Sequence, residues 1–450
     1  MFAVSSLRVR TMHLKQLRNT GSSGASGWGP RGLLAAIHSL TVDTIPCLNY
    51  MMKQPKVFFL AVVALLPLVF VSCIGVGQAA SGWSGPTVYE DIIYVVSKDG
   101  GLVAVNSSNR DVLWFYEMTT ISGGGLSCGP TSGPTAIYAT PIVDGNLVYV
   151  STYSGQVLTL STDARRQNLT FPQQRYGEWE WDCPLDGARS NAIVADLSVR
   201  EDAIYVSSSN GRVYSLDKEF GDLNWESKVL DETYEKLWTS PVIQGDTLYV
   251  STFDGHVYAL SIETGELLGW SFRSEAAGFA SSPVIYGDTV FLGSFDRHLY
   301  AIEIGSNVSM WSFPEEEPAG NWFWASPIVN EGIVYAGCLD GRLYAIDAET
   351  GQELWRFDAA SPIGTSPVLM DNLLTIADES GTVYVFDVGA GFGDEAVPLR
   401  SISIGASVRS SFCGQNGLIY IRGEDNSIYV VDIERGQIVE GWPLSLTTEE

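Results

Sequence analysis

An all-β propeller of eight blades is the fold predicted by this 450-residue sequence, and three observations carry that prediction. A turn signal recurs at Gly100, Gly155, Gly211, Gly255, Arg297, Gly341, Gly381 and Asn426. The residues before these positions are Asp99, Ser154, Asn210, Asp254, Asp296, Asp340, Ser380 and Asp425, nearly all turn formers. The intervals run from 40 to 56 residues, and each signal sits among four short strand patterns. Four strands per repeat make a blade rather than a solenoid coil. Composition points the same way, with 46 Gly, 11% aromatic residues, 17% charged residues and no long helical periodicity after residue 80.

The clearest unit runs from Ser326 to Phe357. Ser326-Pro327-Ile328-Val329 opens it, and Ile333-Val334-Tyr335-Ala336 alternates as a strand does. Asp340-Gly341 supplies a hairpin whose turn needs positive φ. Arg342 to Ile346 is the third strand, Thr350-Gly351 turns again, and Glu353-Leu354-Trp355-Arg356-Phe357 is the fourth. One such sheet has two apolar faces and requires neighbours of its own kind.

The first blade takes Pro86 to Val88, Ile92 to Val96, Leu102 to Val105 and Val112 to Phe115. A Gly-rich insert, Glu117 to Thr135, precedes the second blade, which has Leu147 to Val150 and Val157 to Leu160. The longest insert follows at about residues 165–190 and contains Trp179-Glu180-Trp181-Asp182-Cys183. Blades three to six run regularly to Phe357. In the seventh, the loop Gly389 to Gly393 occupies the place of the last turn and fourth strand. The eighth ends near Trp442-Pro443-Leu444, so the propeller spans 82–444 and a polar tail takes 445–450.

Residues 1–50 fall outside this pattern and are expected to be disordered. They read either as an Arg- and Ser-rich transit peptide or as an upstream extension of a frame that starts at Met51 or Met52. Residues 51–80 have the layout of a secretory signal, with Lys53 and Lys56 before the apolar run from Val57 to Val71. Ser72-Cys73 resembles a bacterial lipobox, which makes Cys73 the candidate lipidated residue, although Phe70 stands where Leu is usual. Cleavage near Ala79-Ala80 and a retained membrane anchor are the alternatives. All three place the propeller outside the cytoplasm, anchored or exported through the cell envelope.

Seven of the 26 basic and one of the 52 acidic residues precede Cys73, so the remainder carries 19 against 51, a balance of −32. Such a domain is repelled by nucleic acid, which excludes that class of partner. Among six cysteines, Cys338 and Cys413 lie in strand patterns as apolar thiols. Cys128 and Cys183 each lie in an insert, and an extracytoplasmic address permits a disulfide between them.

Ala345-x-Asp347-x-x-Thr350-Gly351-x-x-x-Trp355 resembles the tryptophan-docking pattern of PQQ-like β-propeller repeats. It returns with drift around Trp114, Trp225, Trp270 and Trp311, and Trp442 closes the last blade, so these six tryptophans are assigned to blade docking. A small residue lets strands approach, Gly makes the turn, and the indole stacks between blades. The resemblance covers about residues 82–444 and divides on function. Quinoprotein dehydrogenases hold pyrroloquinoline quinone and calcium on the propeller axis. This chain lacks the adjacent cysteines of their alcohol-oxidising branch, and after residue 80 it has only His256 and His298, which read as surface turn residues. No nucleophile triad, metal-spaced cluster or phosphate loop is present, so no catalytic, cofactor-binding or metal residue is assigned. The outer-membrane assembly factor BamB and similar envelope lipoproteins share the signal, the size and the eight blades. That resemblance implies a cofactor-free, non-catalytic scaffold for envelope or membrane proteins. A quinone- and calcium-dependent dehydrogenase or a ligand-sensing or carbohydrate-binding propeller is the alternative.

Strand alternation puts the connection between blades on the same face as the Asp-Gly hairpins, and both inserts are such connections. That face is expected to carry Trp179, Trp181, Trp322 and Trp324 as the candidate interaction surface. The competing reading for Trp322 and Trp324 is that they pack the mouth of the central channel.

Overall fold

All eight turn positions picked out by the repeat adopt left-handed φ, including Arg297 at 72° and Asn426 at 63°. Each donates its N–H to the carbonyl three residues earlier, as Gly341 does to Cys338 O at 3.1 Å. The computed structural model describes residues 82–447 apart from 99, 123–130, 135, 154, 163–191, 229, 231–236, 275–277, 307 and 394. None of the described residues is helical. The anchor candidate Cys73, the cysteines Cys128 and Cys183, and Trp179 and Trp181 lie outside them.

The hairpins build antiparallel sheets whose strands follow chain order. The sixth blade consists of Ile328–Asn330, Ile333–Gly337, Arg342–Asp347 and Glu353–Asp358. The second has three described strands, Ile142–Asp144, Leu147–Ser151 and Val157–Ser161. In the eighth the outer strand is broken into Gln437–Ile438 and Leu444–Ser445, both paired with Ser427–Asp432. The first strands of neighbouring blades touch one another and so surround the axis. The architecture is an eight-bladed propeller of four-stranded antiparallel blades.

Apolar faces of successive blades fill the space between sheets, and the last pairs with the first. Tyr420, Ile428 and Val430 pack with Ile93, Val95 and Val103 to close the ring. Across that seam Lys98 N–H donates to Asn426 Oδ1 at 2.8 Å, and Arg110 Nη1 donates to Gly441 O at 2.5 Å. Closure leaves no long unpaired edge around the axis.

The docking tryptophans work between blades. Trp225, Trp270 and Trp311 donate Nε1–H to Ile262 O, Ser306 O and Ala348 O of the following blade, at 3.1, 2.8 and 3.1 Å. The small residue stands opposite the indole in the same blade, as Ala301 does for Trp311 and Ala345 for Trp355. Trp114, Trp355 and Trp442 are buried. Trp355 meets no turn glycine in the seventh blade; Phe392 fills that place with its ring centroid 4.9 Å away.

Two sequence expectations are corrected, and the first insert gains an element. The seventh blade does have its fourth strand, Arg400–Ser403, beyond a longer loop that delivers Phe392 to Trp355. The first insert contains a two-stranded hairpin, Thr119–Ser122 with Thr131–Pro134. His256 begins a third strand and His298 immediately precedes one, and both are partly buried rather than surface turn residues. His256 Nδ1 lies 2.5 Å from Asp254 Oδ2, and its ring stacks on Tyr258.

Candidate functional site at the mouth of the central channel

Before each first strand the chain passes the axis in an extended lead-in, where side chains alternate between blade and channel. A buried residue comes first, such as Ile193, Leu237, Phe279 or Phe323. The next residue faces the channel: Trp83, Tyr138, Val194, Trp238, Ala280, Trp324, Gly364 and Arg409 in blades one to eight. The third residue points back and ties the lead-in to its own blade. Thr239 and Thr365 hydroxyls donate to Ser251 O and Ala377 O at 2.7 and 2.8 Å.

The fourth residue returns to the axis and forms a polar belt. It is Gly85 in the first blade, then Thr140, Asp196, Ser240, Ser282, Ser326, Ser366 and Ser411. Three belt side chains accept the preceding blade's main-chain N–H. Ser240 N–H goes to Ser282 Oγ at 2.8 Å, and Ser326 N–H goes to Ser366 Oγ at 3.1 Å. Thr140 N–H goes to Asp196 Oδ1 at 2.6 Å. A Cβ on Gly85 would lie 2.7 Å from Ser411 Oγ, so its absence lets Thr140 Oγ reach across to Ser411 Oγ at 3.1 Å. Asp196 is the only acid of the belt. Burial pushes its carboxyl above the usual range, against the opposing pull of the Thr140 hydrogen bonds.

Above the belt the walls are aromatic, in two arcs. Trp83, Tyr138 and Tyr153 form one, with centroid separations of 4.5 and 5.5 Å. Trp238, Phe253 and Phe295 form the other, at 4.7 and 4.9 Å, and Phe295 meets both Trp322 and Trp324 at 5.5 and 6.2 Å. Trp324 lines the channel, whereas Trp322 is 41% exposed beside it. Trp83 and Tyr153 are exposed to a similar degree at 42% and 47%. The open cavity between the arcs is about 150 Å³.

The hairpin residues around the mouth are structural. Tyr300, Tyr344 and Tyr429 hydroxyls donate to Asp296, Asp340 and Asp425 at 2.6, 2.9 and 2.7 Å, fixing each third strand to its turn. Cys338 is buried, with Sγ 3.2 Å from Asn321 O, and burial pushes its thiol up to about 12. It packs within an apolar cluster.

A quinone tricarboxylate with calcium is a poor fit to this mouth. Among the described lining residues Arg409 is the one cation and Asp196 the one carboxylate. No group of three or more His, Cys, Asp or Glu among the described residues could hold a metal ion. Sequence reasoning placed Trp322 and Trp324 on this face but missed Trp83, Tyr138, Trp238 and Asp196 as a set. The signal was present in the eight lead-ins, where Asp196 stands in register with serines and threonines.

Comparison with known proteins follows the same division between fold and function. The profile of the family described as outer membrane protein assembly factor BamB matches residues 173–391. Over 147 residues the chain is 26% identical to the outer membrane protein assembly factor BamB of Legionella pneumophila (strain Paris). That match covers 33% of this chain and spans only 33% of the relative's length. The crystal structure of BamB from Moraxella catarrhalis superposes with a TM-score of 0.56 at 16% identity, covering 77% of this chain and 93% of that one. The computationally designed Ika8 protein does so with a TM-score of 0.57 at 18% identity, covering 79% and 99%. At such identities these structures show the fold alone. The chain is a PQQ-like β-propeller protein that resembles the assembly factor BamB.

Proposed function

We propose that the chain is a non-catalytic, extracytoplasmic scaffold that holds an envelope or membrane protein against its hairpin face. One observation carries this reading: exposed Trp83, Tyr153 and Trp322 collect around a single channel mouth. Aromatic side chains amid polar loops are what partner surfaces concentrate, because they bury large area at low conformational cost. The matched relatives, described as outer membrane protein assembly factors, support a role of the same kind. Lipidation at Cys73 would tether the propeller to the membrane, since acyl chains contribute about 0.8 kcal/mol per buried methylene. Cys73→Ser should then release the protein into soluble fractions, and unchanged fractionation would remove the tether.

The scaffold reading is tested by crosslinking intact cells and purifying the protein from their membranes. A specific envelope protein should be recovered, and replacing Trp322 and Trp324 together with Ala should deplete it. Recovery of no specific protein would contradict the reading.

A further inference from the structure

A carboxylate at position 196 is more than the belt position demands. Its position in the repeat requires only an acceptor for the preceding blade's N–H, and Ser282 and Ser366 meet that requirement with a hydroxyl. A carboxylate there accepts the Thr140 N–H at 2.6 Å and a hydrogen bond from the Thr140 side chain, and still carries the desolvation cost of a charge beside the axis. Among the described residues no ion pair joins it. The cavity that Asp196 lines is lined as well by Trp83, Tyr138, Trp238, Phe253 and Trp324. Aromatic rings that share a cavity with a carboxylate attract cations, through the ring quadrupoles and the negative charge together. The domain's balance of −32 from Cys73 onward draws cations toward it.

We propose that the channel mouth receives a cationic side chain, arginine or lysine, presented on a projecting segment of the partner. This rests on the reading of the hairpin face as a partner surface and names the chemistry of what docks there. Entry of the cation supplies Asp196 with the counter-charge that its site lacks, and the indoles cover the apolar stem of the same side chain. Arg409, exposed on the eighth blade, stands three blades from Asp196 around the ring. Arg409 lines the same cavity, and its charge opposes the incoming cation.

The test uses the exported protein and three small probes: acetyl-glycyl-arginyl-glycinamide, the same peptide with neutral citrulline, and N-acetylglucosamine. Binding is followed by tryptophan emission, since Trp83, Trp238 and Trp324 line the site. The arginine peptide should bind saturably and the citrulline peptide about tenfold more weakly. Asp196→Ser restores the residue of the other blades and should fold normally, yet weaken the arginine peptide about tenfold and leave the citrulline peptide unchanged. Arg409→Ala should tighten the arginine peptide. Equal binding of arginine and citrulline, preference for N-acetylglucosamine, or no saturable binding of any probe would overturn the proposal. Failure here is separable from failure of the scaffold reading. A partner captured on the hairpin face but indifferent to Asp196→Ser leaves the scaffold standing and removes the cation site.

Discussion

Trp311 rests on Gly351 of the next blade: a Cβ added to that glycine would lie 2.6 Å from the indole. The same indole donates to Ala348 O at 3.1 Å, so one residue joins two blades by stacking and by a hydrogen bond. Gly351 has φ of +74°, and Gly305 has φ of +92° with nothing within 4 Å of its would-be Cβ. Ala at either position costs about 1–2 kcal/mol for left-handed backbone. Gly351→Ala should cost clearly more than Gly305→Ala, because only the first displaces a tryptophan. Equal losses in urea unfolding would show that the Trp311 contact carries no stability. Trp355→Ala, which empties the space against Phe392, should cost about 3–5 kcal/mol.

Arg297 and Asn426 occupy hairpin positions that Gly fills in the other six blades. Arg297→Gly should raise stability by up to about 1 kcal/mol, by relieving left-handed strain. Asn426→Gly relieves the same strain but removes the acceptor of Lys98 N–H at the ring seam, so it should lower stability. A common sign for both changes in thermal unfolding would contradict the assignment of Asn426 to closure.

Tyr94, Tyr300, Tyr335 and Tyr429 hydroxyls are each pushed up to about 12, chiefly by burial. In the unfolded chain they ionise near 10. Up to that pH both states keep these protons and no stability is lost. Above it the unfolded chain releases protons first, so stability should fall steadily between about pH 10 and about pH 12. Urea midpoints at pH 9 and pH 11 measure this, and a flat profile would contradict the burial of these hydroxyls.

The hairpins and docking tryptophans were legible in the sequence because both depend on local chemistry. Asp340-Gly341 encodes its own turn, and Ala345 and Trp355 face each other across one pair of strands. What each indole touches in the next blade was not legible, because that partner lies 36 or 37 residues on and no local pattern names it. The fourth strand Arg400–Ser403 escaped notice for a related reason: the loop before it moved it out of the repeat spacing. The channel mouth is assembled from one short lead-in per blade, each unremarkable alone. Asp196 acquires meaning only when the eight are set in register.

Cys128 and Cys183 lie outside the described residues, and we propose their pairing from their place in consecutive inserts of the sequence. A disulfide closing that ring would remove unfolded-state entropy equivalent to about 4 kcal/mol. A non-reducing digest of the exported protein should contain the linked peptide pair. Both cysteines fully alkylatable without reductant would end the assignment.

The hairpin face around the channel is proposed as a partner surface. The most direct test replaces Trp322 with photoreactive benzoylphenylalanine in the native cell, with Leu223 as the control. Leu223 is 50% exposed on an outer strand, away from the mouth. Irradiation should yield one discrete envelope-protein adduct from position 322 and none from position 223. Adducts equal at both positions, or absent from position 322, would contradict the claim.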